Sequence, residues 1–262
     1  MPSRILHVSD LHVGAHDDPI LGRALAQIVA IVEPELIVAT GDLTNRGRAD
    51  QHTTAAALLR GLGPPVVAVP GNHDIPYTAP ARAASPWRLF EREWGTTEPV
   101  HDGPGVHVVG INSVRPWRHQ SGGISDEALA RAERRLAEAA PGALRVVCLH
   151  HQLIGAPWRT RKRPVARRTH VLGRLVDAGA ELIVSGHIHQ AAVSERREFE
   201  AGAAGGAVVA VAPGIGRPRP SRRGEARGAL AYLVEDDRLV VETHIWDGDG
   251  FKRIASRAFA RG

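Results

Sequence analysis

Five short apolar segments of the sequence are each followed by residues that could bind a metal ion. The segments are RILHVS, ELIVAT, PVVAVP, LRVVCL and ELIVSG, at residues 4–9, 35–40, 65–70, 144–149 and 181–186. Histidine, aspartate and asparagine offer the nitrogen and oxygen atoms that divalent ions accept as ligands. The candidate ligands that follow the segments are Asp10, His12, Asp42, Asn72, His150, His187 and His189.

This set of ligands is too large for a single tetrahedral ion, which takes three or four protein groups. It suits two ions about 3.5 to 4 Å apart that share a bridging carboxylate. Two divalent ions, Asp10, Asp42 and a hydroxide would leave a net charge of about +1, which suits the single negative charge of a phosphodiester. Such ions make hydroxide available near neutral pH, so the set predicts metal-dependent hydrolysis of a phosphodiester.

His73 is a candidate for a second chemical role. It lies in the motif GNHD, residues 71–74, directly after the candidate ligand Asn72. An alkoxide leaving group needs a proton, and general acid catalysis typically contributes about 10²- to 10⁴-fold. Since His73 is not needed as a ligand, we expect it to be the general acid, the alternative being a hydrogen-bonded structural histidine.

The apolar segments also predict how the ligands come together. Helical patterns near residues 20–32, 50–61, 125–139 and 167–178 alternate with the strand patterns, which is typical of parallel strands joined by crossovers. The carboxyl ends of such strands meet at one edge of the sheet. Residues two apart in an extended chain point the same way, so Asp10 should pair with His12, and His187 with His189. The glycines before Asp42, Asn72 and His187 indicate close backbone approaches.

The pattern changes after about residue 190. Strand segments at 207–212, 228–236 and 238–246 follow one another without a long helix, and EDD at 235–237 indicates a hairpin turn. We expect a single domain over residues 1–262, in which residues 1–190 carry the ligands. Residues 191–262 should be mainly antiparallel strands that complete a second sheet.

Composition limits the classes of protein that the chain can belong to. Cys148 is the only cysteine, which excludes an intramolecular disulfide and a zinc site built from cysteines. No segment approaches the 18 or so consecutive apolar residues of a membrane span, and the first residues lack the apolar core of a secretory signal. We therefore expect a soluble cytoplasmic protein. The formal charge is +5, and nearly all the positive charge is arginine; two stretches rich in arginine and proline, at 159–168 and 216–228, read as loops.

The ordered motifs DLH, GD, GNHD, HH and GHIH resemble the calcineurin-like metallophosphoesterase superfamily, in particular the class III cyclic-nucleotide phosphodiesterases. The resemblance covers residues 4–189 directly. It implies a four-layer α/β/β/α sandwich with two mixed sheets and a dinuclear centre of iron, manganese or zinc at the carboxyl ends of the strands. HHQL at 150–153 departs from the HHPP that is frequent in the family, so the substrate wall there is expected to differ.

The resemblance also implies roles for single residues. Asp10, His12 and His189 would hold the first ion, and Asn72, His150 and His187 the second. Asp42 would bridge the two ions, with His150 rather than the adjacent His151 as the ligand. His73 would act as the catalytic acid, and Asp74 would orient it from behind.

The expected substrate is a small phosphodiester, with 3′,5′-cyclic nucleotides as the class that the resemblance suggests. A nuclease or a nucleotide (sugar or lipid) pyrophosphohydrolase is the alternative, since both use the same chemistry. Arginine in place of the GNHD histidine is usual in lipid A pyrophosphohydrolases, so His73 argues against that branch. Nucleic acid is less favoured because the chain has little room for an additional DNA-contacting domain. A non-catalytic scaffold and a homodimer stay open.

Overall fold

The computed structural model describes residues 3–15, 18–118, 120–158, 160–199, 206–219 and 224–261. Twelve strands lie in this part of the chain. They are β1 (Ser3–Val8), β2 (Leu36–Ala39), β3 (Val66–Ala68), β4 (Val100–Gly103), β5 (Val106–Gly110), β6 (Leu144–Cys148), β7 (Leu182–Ser185), β8 (Ala192–Glu195), β9 (Val208–Val211), β10 (Gly228–Val234), β11 (Arg238–Trp246) and β12 (Phe251–Ala260).

The helices lie mainly between the parallel strands. They are α1 (Leu21–Val32), α2 (Ala49–Arg60), α3 (Ala81–Ala84), α4 (Arg88–Trp94), α5 (Asp126–Leu136) and α6 (Arg168–Asp177), with a 3₁₀ turn at Arg196–Glu198. The Ser125 side chain accepts a hydrogen bond from the backbone N–H of Ala128 and caps α5. None of the described helices is long and apolar enough to span a bilayer.

The strands form two mixed sheets of six strands each. The first has the order β12-β11-β10-β1-β2-β3, and the second has the order β4-β5-β6-β7-β9-β8. Strands β1 to β3 are parallel in the first sheet, and β5, β6, β7 and β9 are parallel in the second. In the first sheet β10, β11 and β12 pair antiparallel, and in the second sheet the edge strands β4 and β8 do so.

Apolar side chains between the sheets hold the two layers together. Ile5 and Val38 of the first sheet belong to the same buried cluster as Val146 and Val184 of the second. A second cluster joins the first sheet to α1 and α2, and a third joins the second sheet to α5 and α6. The four-layer α/β/β/α sandwich is therefore confirmed. Because the core fixes the sheets against each other, the carboxyl ends of parallel strands from both sheets can contribute to one site.

The prediction for the tail is only partly correct. Strands β8 and β9 lie in the second sheet, but β10, β11 and β12 extend the first sheet through antiparallel pairing of β10 with β1. Tyr232 and Leu230 of β10 face the core between the sheets, so burial places the tail beside β1. Residues 200–205 and 220–223 of the tail lie outside the described residues.

The buried histidine His7 connects the tail to the ligand-bearing strands. Its Nδ1 lies 2.9 Å from the Tyr232 hydroxyl on β10, and its Nε2 lies 2.9 Å from the Thr40 hydroxyl at the end of β2. Burial lowers the pKa of His7 from its ordinary value of 6.5 to about 3, although the Asp10 carboxylate acts in the opposite direction. The folded protein therefore keeps this imidazole neutral where the unfolded chain would protonate it.

This difference predicts that acid destabilises the protein through His7. Between about pH 6.5 and pH 3, His7 is protonated in the unfolded chain but neutral in the folded protein. Over this range it should lower the free energy of unfolding by up to about 1.4 kcal/mol for each pH unit of acidification. Urea unfolding of metal-free protein at several pH values would measure this slope. His7→Gln should have a shallower slope than the wild type. The control is His170→Gln, an exposed position on α6, and equal slopes in the two variants would contradict the assignment.

Candidate metal centre

Five of the candidate ligands adopt left-handed backbone conformations just beyond the strand ends. Their φ angles are 55° for Asp10, 50° for His12, 50° for Asp42, 72° for His187 and 57° for His189. The expected extended geometry for Asp10 with His12, and for His187 with His189, is therefore wrong. The pairs still come together because left-handed residues turn the chain sharply where each strand ends. Glycine and asparagine adopt this conformation most readily, and aspartate and histidine adopt it more readily than most other residues.

Glycines make these turns possible through close contact, as the sequence predicts. A Cβ on Gly71 would collide with the backbone nitrogen and the carboxylate of Asp42. A Cβ on Gly186 would collide with the Ser9 hydroxyl and approach the Asp10 carboxylate to 2.7 Å. The absence of side chains at Gly71 and Gly186 thus lets separate strand ends meet around the two carboxylates.

Asp10, His12 and His189 form one cluster of donor atoms. His189 Nε2 lies 2.9 Å from Asp10 Oδ1 and 3.2 Å from His12 Nε2. Two imidazole nitrogens at this distance can share at most one proton, and a cation between them would satisfy both lone pairs. These three residues satisfy the geometry of a group that could hold a metal ion.

Asn72, His150 and His187 form the neighbouring cluster. His150 Nε2 lies 3.3 Å from Asn72 Oδ1 and 3.1 Å from His187 Nδ1. The opposite ring nitrogens face backbone carbonyls: His150 Nδ1 is 2.7 Å from the Thr40 carbonyl and His187 Nε2 is 3.2 Å from the Gln120 carbonyl. Each carbonyl accepts the proton of its imidazole, which leaves His150 Nε2 and His187 Nδ1 with lone pairs that point at each other.

Asp42 lies between the two clusters. Its Oδ1 is 3.4 Å from His150 Nε2, and its Oδ2 is 3.8 Å from His12 Nε2. The carboxylate is fully buried, and its Oδ2 makes no hydrogen bond within the described part of the chain. Unpaired buried carboxylate oxygens beside imidazole lone pairs are the donor set that a hard or borderline cation requires. The residues therefore fit a metal centre.

The acids and His150 influence one another through charge. Burial alone would raise the pKa of the Asp10 carboxyl, but the imidazoles, His189 foremost, bring it well below its ordinary range. The pKa of the Asp42 carboxyl is lowered in the same way, chiefly by His150. In return, Asp42 overcomes the effect of burial on His150 and raises its pKa to about 9. A metal ion at this position therefore competes with a proton on His150.

The structure places His73 beside the first cluster but corrects the role of Asp74. The His73 backbone N–H donates to Asp42 Oδ1 at 2.8 Å, and its Nδ1 faces the Asn45 carbonyl at 2.7 Å. The Asp74 carboxylate accepts hydrogen bonds from the backbone N–H groups of Gly71, Leu43 and Thr44, and from the Thr44 hydroxyl. Asp74 thus fixes the loop, while a backbone carbonyl orients the His73 ring.

His151 lies closer to the site than the sequence suggests. It could join His150 and His187 in a group of metal donors, and its ring lies 4.6 Å from that of His187. Its Nδ1 is 2.9 Å from the Ser113 hydroxyl, while its buried Nε2 has no hydrogen-bond partner among the described residues. His151 therefore remains an alternative donor to the second cluster.

The loop at 159–168 brings one cation to the centre. The Lys162 ammonium donates to the His187 carbonyl and interacts electrostatically with Asp10 and Asp42. Spacing along the chain does not show which cation of this arginine-rich loop turns inward. Arg159 lies outside the described residues.

A pocket of about 530 Å³ opens beside the first cluster. His12, His73 and His189 line the pocket, together with apolar side chains such as Leu11 and Leu21. The pocket is also lined by three arginines, Arg46, Arg217 and Arg219. Its size suits a small organic molecule, and the guanidinium groups favour an anion.

Comparison with known sequences places the chain in a family. Residues 3–191 match the sequence profile of the calcineurin-like phosphoesterases. The chain belongs to this family. The strand-end residues described above lie within the matched region, which confirms the resemblance drawn from the motifs.

The chain also resembles individual calcineurin-like phosphoesterases. A Rhodococcus erythropolis protein named a probable cyclic nucleotide phosphodiesterase is 28% identical over 205 residues, which cover 71% of this chain and 64% of the relative. A Synechococcus protein, also named a probable cyclic nucleotide phosphodiesterase, is 29% identical over 171 residues, which cover 62% of this chain and 61% of the relative. An Arcobacter nitrofigilis protein named a probable glycerophosphodiester phosphodiesterase is 25% identical over 142 residues, which cover 50% of this chain and 51% of the relative. The matches thus span about half to two thirds of these relatives.

Solved structures share the fold at low identity. A purple acid phosphatase from yellow lupin superposes with a TM-score of 0.73 at 12% identity, over all of this chain and 54% of that chain. A dimetal phosphatase from Danio rerio superposes with a TM-score of 0.68 at 14% identity, over the full length of both chains. These likenesses support the two-sheet architecture.

The unpaired carboxylates predict strong stabilisation by metal. An ion that binds only the folded state stabilises it by about 2.7 kcal/mol at a concentration one hundred times its dissociation constant. Unfolding of chelator-treated protein, followed by titration with Mn²⁺, would measure this gain. Asp42→Asn should lose most of it because the amide supplies less charge to both clusters. Asp177→Asn, an exposed position on α6, is the control, and an unchanged gain in Asp42→Asn would contradict the assignment.

Proposed function

We propose that this protein is a dinuclear-metal-dependent phosphodiesterase. The observation that carries the proposal is a pair of donor clusters separated by one buried carboxylate, Asp42, whose oxygens face one cluster each. Asp10, His12 and His189 would hold one ion, Asn72, His150 and His187 the other, and Asp42 would bridge them. Iron, manganese and zinc all suit this mixture of nitrogen and oxygen donors.

The bound ions would supply a nucleophile at neutral pH and stabilise negative charge on the phosphoryl oxygens. The side chains have separate tasks. The Thr40 and Gln120 carbonyls hold the rings of His150 and His187, so that their free nitrogens keep one orientation. Lys162 contributes a further positive charge beside Asp10 and Asp42.

His73 is the general acid in this proposal. Its Nδ1 proton is donated to the Asn45 carbonyl, which leaves Nε2 for the substrate. The residue lines the pocket together with His12 and His189, next to the position where a phosphoryl group would lie. When protonated, Nε2 can donate its proton to the departing alkoxide.

The substrate class proposed is a small nucleotide phosphodiester, with 3′,5′-cyclic nucleotides as the first choice. The pocket combines apolar surface for a nucleoside with arginines for anionic oxygens. The names of the Rhodococcus and Synechococcus relatives support the same class. Arg46 and Arg217 also favour a second candidate, a nucleotide pyrophosphohydrolase, because its substrates carry an additional negative charge.

Hydrolysis of bis-p-nitrophenyl phosphate tests the reaction class without assuming a natural substrate. Protein loaded with Mn²⁺ should release p-nitrophenol, whereas chelator-treated protein should not, because the donor clusters then lack their ions. Absence of turnover together with absence of bound metal would refute the enzyme assignment and leave a scaffold. Rates on cAMP, single-stranded DNA and a nucleotide sugar would then decide among the substrate classes, and cAMP should be fastest.

The role of His73 predicts a dependence on the leaving group. His73→Ala should lower kcat by about 10²- to 10⁴-fold for an alkoxide leaving group such as that of cAMP. The loss should be much smaller for p-nitrophenolate, a weak base that departs without a proton. Paired kinetics on the two substrates measure the difference, with His170→Ala as the surface control. Equal losses on both substrates would show that His73 does not act as the acid.

A further inference from the structure

A large cavity lies apart from the metal centre. It has a volume of about 880 Å³ and lies between α3, the start of α5 and the segment 112–117. None of the residues of the two donor clusters lines it. We call it the arginine cavity, defined by Arg82, Arg115, Arg131, Trp87 and Trp117.

The segment that follows β5 separates this cavity from the metal centre. Asn112 and Val114 face the cavity, whereas the Ser113 hydroxyl bonds to His151. Further along the same segment, the Gln120 carbonyl accepts the proton of His187. The arginine cavity and the pocket beside His12 share no lining residue.

The cavity holds more positive than negative charge. Among its described lining residues Glu98 is the single carboxylate, and Arg131 already occupies both its oxygens, at 3.1 and 3.0 Å. Arg82 donates only to the backbone carbonyls of Pro116 and Pro76, at 2.6 and 3.0 Å. Arg115 donates to the Val114 carbonyl at 3.3 Å. Within the described residues neither guanidinium group forms an ion pair with a carboxylate, although Glu98 interacts with Arg115 electrostatically.

Burial makes this arrangement costly. Nη2 of Arg82 is buried and has no hydrogen-bond partner among the described residues. Burial also lowers the pKa of both Arg82 and Arg115, which shows that their charged forms are poorly solvated. Partly desolvated cations without a counter-ion are unfavourable, and a bound anion would relieve them through charge-assisted hydrogen bonds.

Two indole rings add a second kind of recognition. Trp87 and Trp117 both line the cavity, and Trp117 is 75% exposed although it is one of the largest apolar side chains. Trp94, by contrast, packs against the core next to Phe90. Trp87 is partly buried, whereas the exposed indole of Trp117 beside the arginines is suited to stack on a planar ring whose charged group is held by guanidinium. The volume lies within the range of pockets that hold nucleotide-sized ligands.

We propose that the arginine cavity is a second binding site, specific for a nucleoside monophosphate. The phosphate lies between Arg82 and Arg115, and the base lies against the indole of Trp117. The site does not depend on metal. It is also independent of the phosphodiesterase activity proposed above.

Titration of chelator-treated protein with 5′-AMP tests this site, because the metal centre then lacks the ions that would bind a phosphate. Calorimetry should show one 5′-AMP per chain, and adenosine should bind at least tenfold more weakly because it lacks the phosphate. Arg115→Gln should weaken 5′-AMP binding by at least tenfold. The matched control is Arg118→Gln, an exposed neighbour that does not line the cavity, and it should bind nearly as the wild type does.

Tryptophan fluorescence locates the ligand. Binding of 5′-AMP should quench emission, and Trp117→Phe should remove most of the quenching. Trp158→Phe should leave it unchanged, since Trp158 is 55% exposed but lies outside the cavity. Ala83→Trp fills the cavity from α3 without changing its charge, and it should abolish binding even if an arginine variant fails to fold. Absence of 5′-AMP binding, or wild-type affinity in both Arg115→Gln and Ala83→Trp, would overturn the proposal.

Discussion

The site depends on two carboxylates that are buried without a full set of partners. Asp42 Oδ2 makes no hydrogen bond within the described residues, and Asp10 Oδ1 faces the ring nitrogen of His189 at 2.9 Å. A desolvated carboxylate in this state costs several kcal/mol. Beside these carboxylates, ring nitrogens of His12 and His189 face each other, and so do those of His150 and His187. Each pair can share at most one proton, so one lone pair in each is left without a partner. Positive charge from metal ions would relieve both problems at once.

The fold positions these groups through features outside the donor atoms. The core between the sheets fixes β1 and β2 against β6 and β7, so strand ends from two sheets meet. Left-handed turns at the ligands cost about 1 to 2 kcal/mol each, and this cost is tolerated only where the surrounding structure holds the backbone. The loop contacts of Asp74 and the close approach at Gly71 provide such support.

Most of the framework can be predicted from the sequence because buried strands and amphipathic helices carry clear patterns. The strands that bear the ligands are examples, since each is a short apolar run followed by a glycine or a polar ligand. Strand β12 could not be predicted in this way. Nearly all its residues are exposed, and pairing with β11 rather than burial defines it. The placement of β10 beside β1 depends on long-range packing, which local patterns do not encode.

The same distinction holds for the candidate site. The residues that the structure brings together at the strand ends can be predicted from side-chain chemistry and order along the chain. The groups that orient them cannot, because the carbonyls of Thr40, Asn45 and Gln120 have no residue-type signal. For the same reason Asp74 was expected to hold the His73 ring, whereas it binds backbone N–H groups of the adjacent loop.

Anomalous diffraction from crystals of the manganese-loaded protein tests the central claim most directly. The account predicts two peaks per chain, about 3.5 to 4 Å apart, on either side of the Asp42 carboxylate. One peak should contact Asp10, His12 and His189, and the other Asn72, His150 and His187. Crystals soaked in manganese that show no peak at these residues, or peaks only elsewhere on the surface, would contradict it.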